Sequence, residues 1–159
     1  MQRRTLHFET LDDILADVRA MAACPHSSAG NWTLAQVCKH LAGTFHGSID
    51  GLLLSGPRLR RIFLGRVILS WTYKHGIPPG ITLDPKLNPP FECDLECCID
   101  ELSRAIDRYR MHKGGLRPHP IFGRLRRKAW DRLHCFHCAH HLSHIVPVAE
   151  GRVFVSKGT

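Results

Sequence analysis

The stretch "HCFHCAHHLSH", residues 134–144, places five histidines and two cysteines within eleven residues. An α-helix advances about 100° per residue, so Trp130, His134, His137, His141 and His144 fall within about 80° of one another, with Leu133 and Phe136 at the border. The histidines thus occupy the stripe that a core-facing helix normally fills with apolar side chains. Buried imidazoles without partners cost roughly 1–3 kcal/mol each, and one metal ion satisfies two of them together. Histidines at i and i+4 have Cβ atoms about 5–6 Å apart and project the same way, which suits adjacent ligands of one ion. Two such pairs exist, His137/His141 and His140/His144. The first lies nearer the centre of the stripe. The pattern predicts a last helix over residues 126–146, ended by Pro147.

A pair of histidines is an incomplete site, so a third ligand has to come from another helix. Thr33-Leu-Ala-Gln36 reads as a capping box that opens a helix with Leu34, Val37, Cys38, Leu41, Phe45 and Leu52 on one stripe, stopped at Gly56-Pro57. His40 sits at the edge of that stripe. Gln36, Thr44, Gly47 and Gly51 share its side, and their small members suggest room beside an ion. His40 is therefore the third candidate ligand.

The remaining chain reads as helices joined by breaks. Thr10-Leu-Asp-Asp13 is another capping box, opening a helix over residues 11–23 with Leu11, Ile14, Leu15, Val18 and Met21 inward. Residues 58–74 look helical, but apolar residues cover most of the circumference. Burial within a crossover connection is the first expectation for this helix, and contact with a second copy in a homodimer the second. Residues 76–90 hold five prolines and form a long irregular connection. Asp94 starts a helix with Leu95, Ile99, Leu102, Ile106 and Tyr109 inward, stopped at Gly114-Gly115. "RPHPIFG", residues 117–123, leads into the last helix. The expected fold is all-α: a four-helix bundle with an extra helix and a long crossover, as one domain over residues 1–159.

Composition narrows the setting. The chain has 159 residues, 43% of them hydrophobic, with no run resembling a membrane span or a signal peptide, so a cytoplasmic protein is expected. Seven cysteines is an odd count that argues for reduced thiols. Cys93, Cys97 and Cys98 are expected as small buried hydrophobes. Cys135 and Cys138 form a lone C-x-x-C with no second half to complete a zinc knuckle. The net charge of +8 comes mostly from arginine, clustered at residues 58–66 and 124–132. Without aromatic interleaving or a helix-turn-helix pattern, a solvated basic face is expected in preference to a nucleic-acid surface. Such a field also suits acidic small molecules or thiol cofactors.

"NWTLAQVCKHLA" at residues 31–42, followed much later by "HCAHHL" at residues 137–142, resembles the DinB/YfiT-like superfamily of proposed metalloenzymes. "RRTLHF" (residues 3–8), "SIDG" (48–51) and "HPIFG" (119–123) resemble one branch of it, a domain family of unknown function. The resemblance spans nearly the whole chain. It implies a four-helix bundle with one divalent metal held by His40, His137 and His141. It implies zinc ahead of nickel, and an activity such as thiol-dependent S-transfer with a low-molecular-weight thiol. His144 and Cys138 depart from the family's common pattern and leave the fourth ligand open, with packing the expected role of Cys138.

Three neutral histidines leave a divalent ion an open position for water or a thiol, a catalytic rather than a closed structural set. The H-E-x-x-H pattern is absent, because Cys138 stands where its glutamate would be. Water activation would need another base, for which His140, His144 and His119 are candidates. A coordinated thiol is deprotonated by the metal itself, which tilts the reading toward S-transfer over hydrolysis of a small-molecule substrate. The alternatives are a non-catalytic metal-binding or stress-response module, and a basic interaction protein with structural histidines.

Overall fold

The computed structural model describes residues 2–52, 58–76, 87–90 and 92–148. Among them the chain is mostly helical. Five helices, α1 (Leu11–Ala22), α2 (Leu34–Asp50), α3 (Arg58–His75), α4 (Leu95–Met111) and α5 (Arg127–Leu142), accompany two three-residue strands, β1 (His26–Ser28) and β2 (Ile145–Pro147). The expected stop at Gly56-Pro57, most of the proline-rich connection and the tail beyond Val148 lie outside the described residues.

Both capping boxes form. The Thr10 and Thr33 side chains accept from the backbone N–H of Asp13 and Gln36, whose side chains accept in return from the cap N–H. These bonds satisfy donors that a helix start leaves without internal partners. Asp94 caps α4 by accepting from the Cys97 N–H at 2.8 Å. Helix α2 packs most extensively against α4 and also meets α5, while α1 packs on α5 and α4. Ile14, Val18, Leu41, Phe45, Leu102, Ile106, Tyr109 and Leu142 are wholly buried between them. The "RRTLHF" segment is stapled to the end of α5: Arg4 donates to both Asp17 carboxylate oxygens at 2.7 and 2.8 Å and to the Leu142 carbonyl at 3.0 Å.

Four expectations need correction. First, α2 ends at Asp50 rather than running to Gly56. Gly51 takes a positive φ of 107°, open to a residue without Cβ, and Leu52 folds back onto Gly47. The space that Gly47 suggested is thus filled by Leu52. Second, α5 ends at Leu142. Ser143 Oγ donates to the His140 carbonyl at 2.6 Å, and β-branched Ile145 and Val146 before Pro147 continue as β2, antiparallel to β1. His144 therefore leaves the helical stripe. Third, α3 is not covered on all sides: Leu69 and Thr72 are buried, but Val67, Ile68 and Trp71 are 64%, 38% and 49% exposed. Fourth, of the three cysteines at and before the start of α4 only Cys98 is buried, with Cys93 partly covered and Cys97 exposed.

His134 belongs to the core. It is 2% exposed, stacks on Phe45 at 4.0 Å, and lies against Tyr109 and Trp130 at 4.9 and 5.3 Å. Its Nε2 is buried with no hydrogen-bond partner among the described residues. Burial, with smaller contributions from His119 and Arg127, pushes its pKa down to about 3. The unfolded chain, with a histidine pKa of about 6.5, takes up the proton first. The stability this neutral imidazole carries is whole above pH ~6.5 and falls as pH drops toward 3, by about 2 kcal/mol at pH 5. His134→Phe should keep the aromatic packing and reduce the loss of stability between pH 7 and pH 5 by about 2 kcal/mol, measured by urea denaturation. An unchanged pH dependence would contradict the placement.

Candidate metal centre

The middle of α2 and the last turns of α5 bring His40, His137 and His141 together, one ligand atom from each lying within 4.8 Å of the others. The α5 pair arises from its i,i+4 spacing: the two Nε2 atoms approach to 2.9 Å, and the rings stand nearly perpendicular, at 85°. His40 Nε2 reaches His137 Nε2 at 3.5 Å from the neighbouring helix. Neighbouring nitrogens on a tetrahedral ion with bonds of ~2.0–2.1 Å are about 3.3 Å apart, so this donor set fits a divalent ion.

Two neighbours fix the geometry. The Leu87 carbonyl accepts from His40 Nδ1 at 2.9 Å, which places the proton on Nδ1 and turns the Nε2 lone pair toward the other two rings. Trp32, the residue before the Thr33 cap, stacks on His141 at 5.4 Å with planes 15° apart and lies 4.9 Å from the His40 ring. Neither was singled out from the sequence. Trp32 stood inside the "NWTLAQVCKHLA" motif and was legible there, whereas a backbone carbonyl 47 residues from His40 carries no sequence signal.

All three imidazoles are held neutral. Burial lowers the His40 pKa, against a smaller upward pull from the Leu87 carbonyl. Burial, then the neighbouring His141 and His40, sets His137 well below the ordinary histidine value. Burial followed by His40 brings His141 down to about 2. Three imidazole nitrogens thus meet where the charged imidazolium form is disfavoured, a set that could hold a cation.

The remaining candidates fall in different places. His140 lies beside the triad, its ring 5.0 Å from that of His141 and 5.8 Å from that of His144. His144 stands on the turn after α5, its carbonyl accepting from Ala29 N–H at 2.8 Å; its Nδ1 is buried without a partner among the described residues and faces Gly30. His119 is remote from this group along the chain of contacts. Its Nδ1 accepts from the Ile121 and Phe122 N–H groups at 3.1 and 3.2 Å, and its ring stacks on Phe122 and meets Trp130, two turns before His137 on α5. Cys135 and Cys138 point into the core, 5% and 0% exposed; burial raises the Cys135 thiol to about 11 and Cys138 well above its usual value. Both pack as small apolar groups.

Residues 1–148 match the family described as "Protein of unknown function (DUF1569)". The chain belongs to this family. No curated protein and no solved structure matches it. Among the described residues, no helix is long and apolar enough to cross a membrane.

Because burial depresses the pKa of all three ligands, proton competition for a metal begins below the pH ~6.5 at which a free histidine titrates. Zinc affinity should therefore change little between pH 7.5 and 6.5 and fall at lower pH. Copper(II) binding should quench tryptophan emission through Trp32, and Trp32→Phe should remove most of the quench without removing binding. Quenching that survives Trp32→Phe in full would place the ion elsewhere.

Proposed function

We propose that this protein is a divalent-metal-dependent enzyme of the DinB-like superfamily, acting on a small-molecule substrate by thiol-dependent S-transfer ahead of hydrolysis. The observation that carries the reading is the meeting of three neutral imidazole nitrogens from two helices, with His40 oriented by the Leu87 carbonyl. The mutual packing of α1, α2, α4 and α5 around one core supports a four-helix bundle, with α3 and the proline-rich connection as its crossover.

His40, His137 and His141 would hold the ion, zinc in preference to nickel, since three neutral imidazoles suit a tetrahedral site. Such an ion supplies Lewis acidity and an open position at which a thiol is deprotonated. Trp32 walls the site, covering the His40 and His141 rings and excluding water from one side. His140 and His144 are the groups placed to carry the released proton, being only partly buried, with His140 beside His141 and His144 beside His140. The buried thiols of Cys135 and Cys138 take no part, and the thiol in this reading is a low-molecular-weight one brought from outside. A reaction of this kind on soluble metabolites fits the cytoplasm expected from the sequence.

The core is apolar and continuous without the ion, so the fold should not depend on it. His40→Ala should abolish stoichiometric zinc binding and any zinc-dependent S-transfer, while far-UV circular dichroism stays within about 10% of wild type. Chelation should lower the wild-type Tm by several degrees and leave the Tm of His40→Ala unchanged. Loss of most helical signal on chelation would instead identify a structural metal module, as in small zinc domains.

A further inference from the structure

The second arginine cluster does not simply form a solvated face. At the corner where α4 ends and α5 begins lies an open cavity of about 780 Å³, whose lining includes Arg110, His112, Lys113, Arg117, Arg124 and Arg126. Every ionisable group in the lining is basic; no aspartate or glutamate contributes. Arg127 is committed elsewhere, donating to the Tyr109, Arg110 and His112 carbonyls that end α4, and Arg110 pairs with Asp12 at 2.7 Å. Lys113, Arg117, Arg124 and Arg126 have no acidic partner among the described residues. They crowd like charges around one hollow.

The start of α5 adds to this conflict. Its cap residue is Arg126, which makes no side-chain cap bond, and the first turn holds no acidic residue. The other well-described helix starts carry Thr or Asp caps. A helix N-terminus bears roughly +0.5 charge, so Arg126, Arg127 and Lys128 stand where cations are disfavoured. Unpaired cationic side chains gathered at a helix N-terminus lack the same thing, an acceptor with several negative charges.

We propose that this corner is a binding site for a small polyanion of the phosphate-ester class, with a diphosphate seated between the α5 N-terminus and the Arg117 and Arg124 side chains. The volume suits a small organic molecule, and Leu116, Pro118 and Leu125 give its uncharged part an apolar wall. The site is separate from the histidine centre: Arg127 and His137 stand ten positions apart on α5, about 15 Å along the helix. It stands whether or not the metal reading does.

Inorganic pyrophosphate is the probe, titrated into the full chain by calorimetry at two salt concentrations. One saturable site is expected, weakening as salt rises. Arg124→Ala and Arg117→Ala should each weaken binding about tenfold, Arg124→Lys by less, and His40→Ala should leave it unchanged, with circular dichroism confirming that each variant is folded. Absence of saturable binding at millimolar pyrophosphate, or affinity indifferent to both arginine substitutions, would overturn the proposal. Loss of binding in His40→Ala would assign the anion to the histidine centre and overturn it equally. Affinity for single-stranded oligonucleotides that rises with their length, well beyond that for pyrophosphate, would replace it with a nucleic-acid surface.

Discussion

Three imidazole nitrogens brought to one point inside a helical core are the constraint on which this structure turns. Burial disfavours the charged form of each ring, and the neighbouring histidines add to this at His137 and His141. Their alignment has to be imposed from outside. Helical spacing fixes His137 against His141, packing of α2 on α5 brings His40 across, and the Leu87 carbonyl decides which nitrogen of His40 faces inward. Imidazoles stand here where a core-facing helix normally carries apolar side chains. Sites that break a local packing rule in this way are where function is expected.

The same helix shows how little separates a ligand from a core residue. His134 lies one turn before His137 and on the same stripe, yet it is enclosed by Phe45, Tyr109 and Trp130 and meets no other donor set. One turn onward, Phe45 and Tyr109 give way to His40 and Trp32, and the stripe changes from apolar packing to a histidine cluster that could hold a metal ion. Residue type did not distinguish the two positions; their neighbours on α2 and α4 did.

The helices and the triad were legible in the sequence because they rest on short-range rules. Capping boxes at Thr10 and Thr33 and the 3.6-residue period placed α1, α2 and α4 within a residue or two at their starts, and the inward stripe favoured His137/His141 over the other i,i+4 pair. What the sequence misplaced depends on distant contacts or on competing local preferences. Apolar periodicity ran on past Asp50 and past Leu142, but Gly51's positive φ and the β-branched pair before Pro147 ended those helices early. The paired strands need segments nearly 120 residues apart, and no local pattern announces that pairing. Burial of α3 on all sides, the first of its two expectations, did not hold, because an apolar helix shows in its sequence that it wants cover, not whether its own chain provides it.

The central claim is that His40, His137 and His141 bind one ion and leave a position open. X-ray absorption of the zinc-loaded full chain measures this directly. The account predicts three imidazole nitrogens at ~2.0–2.1 Å and one light, exchangeable ligand that is replaced by sulfur at ~2.3 Å when a small thiol is added. A sulfur shell before any thiol is added, or four histidine nitrogens that no added thiol displaces, would show a closed site and contradict it.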